Sequence, residues 1–142
     1  MRRQIDKIDC HLMKLYRTAM NVQEYYDSCI APSGISSKQF TTLRHLSFFE
    51  GCSTSELAEH MYLSRSTLSR NLKPLFTAGL IADLKEPGAR DSILTLTEKG
   101  KAVYAEATAL WEKAQQAYTA KLGEETLRSF EGVLDQLQDI LT

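Results

Sequence analysis

Between Ser53 and Gly100 the apolar period of the chain changes, and the order of that change leaves few folds open. Two short patterns of period 3.6, separated by a tight turn, give way to two strand-like runs flanking Pro87-Gly88. In the first pattern Leu57, Ala58 and Met61 share a face. Ser53 or Ser55 can cap it, and Glu56 stands at capping-box spacing from Ser53. Tyr62-Leu63 makes the turn. Ser64 then caps a second helix, from Arg65 to about Ala78, whose Leu68, Leu72, Leu75 and Phe76 form one apolar stripe. Pro74 removes a backbone donor inside it and predicts a local bend. Gly79 supplies the positive φ that stops it. Residues 80–84 and 92–96 read as strands, and 85–91 as a turn with a cationic tip. The order is that of a helix-turn-helix followed by a β-hairpin wing, an architecture that reads duplex DNA.

Opposite its stripe the second helix carries Arg65, Ser66, Thr67, Ser69, Arg70 and Lys73. Such a helix fits the major groove with its N-terminal residues nearest the base edges, and arginine bonds guanine through two donors. An ordinary amphipathic helix can have the same polar face. The short helix before it and the wing after it are what favour a reader. Arg90, on the wing, is placed to reach the minor groove or a nearby phosphate.

At this point the sequence resembles the multiple-antibiotic-resistance regulator (MarR) family. The likeness rests on residues 37–44 (SKQFTTLR), 54–58 (TSELA), 67–75 (TLSRNLKPL), 78–81 (AGLI) and 96–100 (LTEKG) in that order and spacing, and it spans nearly the whole chain. It implies a homodimeric winged-helix transcription regulator, usually a repressor, that leaves DNA when a phenolic or lipophilic ligand binds or a cysteine is oxidised. The chain departs from the family at the wing. The acid that steadies the wing arginine there corresponds to Gly88 here, with Asp91 or Glu86 as the candidate substitutes.

The expected fold is therefore mainly α with a small β-hairpin wing, in which long terminal helices serve dimerisation. Residues 1–36 would form an N-terminal dimerisation helix, 37–100 the winged helix-turn-helix, and 101–142 the C-terminal dimerisation helices. Ile5, Ile8, Leu12, Leu15, Ala19, Val22 and Tyr26 mark one helix from about Gln4 to Ile30. Ser36 or Ser37 caps another through Phe40, Leu43, Leu46 and Phe49. Val103, Ala107, Leu110, Trp111, Ala114 and Tyr118 mark a third, broken at Gly123. Leu127, Phe130, Leu134, Leu137 and Leu141 mark the last. A core of this size does not need so many amphipathic helices outside the reader, so a second copy is the expected partner. Two-fold symmetry would set two readers about 34–36 Å apart on a pseudo-palindromic duplex.

The net charge of −1 gives no attraction to DNA by itself. Its distribution does: the acidic excess follows Gly100, while no acid lies between Ser64 and Ala82. No apolar run is long enough for a bilayer, and the basic start leads into charged, periodic sequence rather than a signal core, so a cytoplasmic protein without membrane contact is expected.

The three cysteines, Cys10, Cys29 and Cys52, show no zinc spacing, so neither a metal nor a cofactor is implied. On one straight helix Cys10 and Cys29 would stand about 28 Å apart, which rules out pairing within it and leaves pairing across a dimer open. Some members of the resembled family sense organic hydroperoxides through a cysteine near the start of the first helix, and Cys10 sits in a similar place. Tyr26 falls near one of that branch's two supporting tyrosines, while the other position is Ser37. The second sensing mode is a small aromatic or lipophilic effector in a cleft lined by His11, Leu12, Tyr16, Phe40, Arg44 and Phe48. No catalytic triad, paired-carboxylate motif or phosphate loop is present, so an enzyme is not expected. The rival reading is a winged-helix protein-interaction module without DNA binding, which an apolar or acidic reader face would mark.

Overall fold

The structure is a computed structural model and describes residues 10–141. Its elements are α1 (His11–Ile30), a 3₁₀ turn (Ala31–Ser33), α2 (Ser37–Phe48), α3 (Thr54–His60), α4 (Arg65–Thr77), β1 (Ile81–Asp83), β2 (Leu94–Leu96), α5 (Glu98–Leu122) and α6 (Glu124–Leu141). The strands pair antiparallel with Ile81 opposite Leu96 and Asp83 opposite Leu94.

Short polar caps start the helices of the reader module. Ser36 and Ser53 each make a reciprocal capping box, with Gln39 and Glu56 respectively. Ser64 accepts from the Thr67 N–H at the head of α4. The Ser53 N–H donates to Glu56 at 2.7 Å, and this bond holds the Glu56 carboxyl below its ordinary pKa. A lowered folded-state pKa means stability that is present above the unfolded value and lost as pH falls through the folded one. Replacing Ser53 with Ala is expected to cost about 1 kcal/mol at neutral pH. Replacing Glu56 with Ala should lower the melting temperature at neutral pH but not in acid below its carboxyl pKa. Thermal melts at both pH values check this.

Two helices end in the same hydrogen-bond pattern. At the end of α4 the Gly79 N–H donates to Phe76 and the Leu80 N–H to Leu75, with Gly79 at φ 70°. At the end of α3 the Tyr62 N–H donates to Glu59 and the Leu63 N–H to Ala58, with Tyr62 at φ 55°. Both are Schellman stops, which favour glycine at the left-handed position. Tyr62 is the only non-glycine with positive φ among the described residues. Holding a tyrosine there costs about 1–2 kcal/mol.

The core is one apolar cluster. Leu43 and Leu46 of α2, Leu57 of α3, Leu68 and Leu75 of α4 and Leu94 of β2 are fully buried, together with Ile30 and Ala107 from the flanking helices. Phe40 stacks on Tyr104 of α5 at 5.7 Å and lies 5.8 Å from Trp111. The last two turns of α1 pack on α5 through Tyr25, which donates to the Ala114 carbonyl, and Tyr26, which donates to Gln115. Asp27 accepts from the Ser37 N–H at 2.6 Å and ties α1 to the head of α2.

Several expectations are corrected. Cys10 is extended (φ −81°, ψ 169°) and α1 begins at His11, so Cys10 and Cys29 do not share a helix interior. The preceding residues of the expected stripe, Ile5 and Ile8, lie outside the described residues. Every residue from His11 to Met20 is exposed, so Leu12 and Leu15 reach no core among the described residues. Phe76 is 40% exposed, because Leu68, Leu72 and Leu75 set the buried line and Phe76 falls on its flank. The strands are shorter than the sequence runs. The Leu84 N–H still donates to Ile93, and on its other side Leu94 accepts from the Gly51 N–H and donates to the Cys52 carbonyl.

Candidate nucleic-acid interface

Along α4, Ser66, Arg70, Lys73 and Thr77 recur at i, i+4, i+7 and i+11, opposite the buried Leu68, Leu72 and Leu75. All four are exposed. No acidic residue lies on the helix, and among the described residues no ion pair engages Arg65, Arg70 or Lys73. The face is therefore cationic and uncommitted. Arg65 and Ser69 sit on one flank, both exposed. Thr67 is placed differently: its hydroxyl accepts from Ser64 at 2.8 Å, and its side chain lines a cleft on the other flank. Thr77 belongs to the outward ridge and was not among the sequence candidates. The i+11 spacing from Ser66 could have found it.

The rest of the module holds α4 in place. The Lys99 ammonium donates to the Ala78 carbonyl at 2.9 Å and the Thr97 hydroxyl to Gly79 at 2.5 Å, so the start of α5 satisfies the end of α4. The Ser92 hydroxyl meets the Thr54 N–H at 2.8 Å and joins the wing to the head of α3.

At the wing, Asp83 accepts from the Lys85 and Ile93 N–H groups at 3.1 and 2.9 Å and fixes the hairpin base. The Ala89 N–H donates to Glu86, with Gly88 at φ 86° after Pro87. This is a type II turn, which requires glycine at its third position and explains why no acid stands there. Arg90 is exposed, and neither Asp91 nor Glu86 pairs with it among the described residues.

Between α1, α2, α5 and the reader lies a cleft of about 690 Å³. Of the six residues expected in such a cleft, Phe40 and Arg44 line it. His11, Leu12, Tyr16 and Phe48 do not; the first three sit on the exposed half of α1, and Phe48 is 71% exposed. Trp111, Tyr26 and Lys38 line it instead, with Thr67 and Asn71 of α4. No local sequence signal marks them, since they meet only through tertiary packing. The Arg44 guanidinium lies 4.8 Å from the Trp111 ring centre and 5.7 Å from that of Phe48. Arg44 and Lys38 supply positive charge beside aromatic walls, a combination suited to an aromatic anion.

Cys10 is exposed as the N-cap of α1 and makes no capping bond. Cys29 and Cys52 are half-buried free thiols. Burial, followed by the nearby Glu56 carboxylate, pushes the Cys52 thiol pKa up and so disfavours its thiolate. Among the described residues, no group of three or more His, Cys, Asp and Glu could hold a metal ion, and no helix is long and apolar enough to cross a membrane.

A sequence profile described as MarR family matches residues 33–90. The crystal structure of the Mycobacterium tuberculosis transcriptional regulator MosR in complex with DNA is similar at 31% identity and TM-score 0.78, covering 94% of this chain and 98% of that one. The M. tuberculosis HTH-type transcriptional repressor Rv2887 is 29% identical over 124 residues, 87% of this chain and 89% of its own. Its complex with salicylic acid superposes at TM-score 0.65. The transcriptional repressor CouR bound to p-coumaroyl-CoA matches at 26% identity and TM-score 0.82, covering 91% of both chains.

Proposed function

The chain belongs to the MarR family, and on that premise we propose that it is a homodimeric, sequence-specific DNA-binding repressor rather than an enzyme, released from its operator by a small aromatic carboxylate or acyl derivative. The observation that carries the reading is the uncommitted cationic face of α4, opposite a fully buried leucine line. A winged helix used only for protein contacts would have no need of Arg70 and Lys73 on that face. A cytoplasmic location follows from DNA as the partner.

The terminal segments 1–36 and 101–142 would make the dimer. α6 has no buried residue, although Phe130, Val133, Leu137 and Ile140 are 40–78% exposed. Leu12, Leu15 and Tyr16 of α1 are 46–73% exposed. Amphipathic helices of this kind need a partner for their apolar faces, and a second copy supplies it.

The cleft supports the choice of effector. It is large enough for an aromatic acid, carries Arg44 and Lys38, and has Thr67 and Asn71 of the reader helix in its wall. A ligand wedged there would move α4 relative to the dimer helices and spoil the half-site spacing that two readers need. MosR in complex with DNA, Rv2887 with salicylic acid and CouR with p-coumaroyl-CoA, an aromatic acyl thioester, are the relatives that favour this pairing of functions. Thiol oxidation at Cys10 is the second trigger, favoured only by the exposure of that thiol.

The test is a fluorescence-anisotropy titration of the dimer on its operator duplex, with salicylate and p-coumaroyl-CoA as probes. Wild type should release DNA at millimolar or lower probe. Arg44→Gln should keep DNA affinity and need about 10-fold more probe or above, the loss of one charge-assisted bond. Release by mild organic hydroperoxide in wild type but not in Cys10→Ser, with both probes inert, would transfer the trigger to the thiol.

A further inference from the structure

At its other positive-φ positions the described chain uses glycine: Gly34, Gly51, Gly79, Gly88 and Gly123. At the stop of α3 it keeps Tyr62, in a hydrogen-bond pattern that Gly79 satisfies without strain at the stop of α4. Among the described residues no hydrogen bond, ion pair or ring contact accounts for a tyrosine here. Tyr62 is 97% exposed, and its side chain makes no hydrogen bond or ring contact among the described residues. A strained, contact-free aromatic points to an interaction outside the chain.

Its place in the fold says which one. Tyr62 lies two residues before Ser64, the cap of the reader helix. In a helix-turn-helix the first helix crosses the sugar-phosphate backbone and the second enters the major groove. The turn between them therefore sits at the groove edge, over phosphates. The left-handed backbone at Tyr62 projects its side chain away from the core, as its exposure records. A tyrosine hydroxyl can donate a hydrogen bond and is a common phosphate partner at such edges. We propose that Tyr62 is a DNA-contact residue whose hydroxyl donates to a backbone phosphate beside the groove entered by α4. This rests on the DNA-binding reading and adds to the α4 and wing residues a contact that no charge pattern reveals.

The proposal predicts opposite signs for stability and binding. Tyr62→Gly removes the backbone strain, so its melting temperature should rise by about 2–4 °C. Its affinity for the operator duplex should fall about 10-fold per half-site, and so up to about 100-fold for the dimer. Tyr62→Phe keeps the strain and the ring but loses the donor. It should melt like wild type and bind as weakly as Tyr62→Gly. Since no cation is removed, the salt dependence of binding should stay that of wild type in both variants, whereas losing a lysine–phosphate contact lowers it.

The experiment measures Kd at two salt concentrations and the melting temperature for all three proteins, on a duplex enriched by the wild type from a random library. Wild-type affinity in either variant would overturn the proposal while leaving the DNA-binding reading intact. Weak binding by Tyr62→Gly alone would overturn the phosphate donor in favour of the ring. Failure of wild type to enrich any duplex would overturn the DNA-binding reading and this proposal with it.

Discussion

Replacing Arg70 with Ala is expected to weaken operator binding by about 2–6 kcal/mol, because one bidentate base contact of about 1–3 kcal/mol is lost in each of two half-sites. Arg70 stands in the middle of the outward ridge of α4, exposed, opposite Leu68 and Leu72 and free of any ion pair among the described residues. Its guanidinium is thus available to a base without first breaking an internal bond. The loss should be selective: preference at the contacted base pair relaxes while affinity for unrelated duplexes changes little. Lys73→Ala is the contrast. If Lys73 meets only phosphate, all duplexes should weaken alike, and the slope of log K against log salt should fall by about one per protomer. Both side chains lie on the surface, so folding stability should move by no more than about 0.5 kcal/mol. Competition titrations with operator and scrambled duplexes separate the two outcomes. Unchanged binding in both variants would mean that α4 is not the reader.

Of the glycines, Gly100 is the one at which an added methyl meets neighbouring backbone, so Gly100→Ala should be strongly destabilising. A Cβ there would lie 1.9 Å from the Leu80 carbonyl oxygen and 2.9 Å from its carbon, both backbone atoms. Leu80 cannot retreat freely, because the same oxygen accepts from the Thr97 N–H at 3.1 Å and the Leu80 N–H closes the stop of α4. The substitution must part α5 from the strand that follows the reader helix. A loss of about 3 kcal/mol is expected, at the upper end of overpacking costs, with a fall in melting temperature of about 10 °C. Operator binding should fall too, since Lys99 and Thr97, which hold the end of α4, flank the displaced residue. A melting temperature within a degree or two of wild type would show that the α5–β1 approach is looser than its geometry implies.

The reader module was legible because its signals are local. Ser53, Ser64 and Gly79 mark helix ends through hydrogen bonds that span a few residues, and Leu68, Leu72 and Leu75 mark a buried line through period alone. Phe76 shows the limit of that reasoning, since a fourth apolar residue at i+8 extended the stripe on paper but falls on its exposed flank. Thr67 shows another: it shares α4 with the groove candidates, yet its cap bond and its flank turn it to the cleft. The cleft itself depends on where α1, α2 and α5 meet, so Trp111 and Asn71 carried no advance signal. In the sequence Tyr62 marks only a turn, because a tyrosine gives no hint of left-handed backbone. The apolar residues in the first turns of α1 were legible as an amphipathic face but not as one left exposed by the single chain.

Two copies of α4 are expected to read one duplex under two-fold symmetry. Selection of a random duplex library by the purified wild-type protein, followed by sequencing of the bound fraction, tests this. The bound fraction should hold a pseudo-palindrome whose half-sites are centred about 10–10.5 base pairs, or a multiple of that turn, apart. Enrichment of nothing, or of one asymmetric site bound by one protomer, would contradict it.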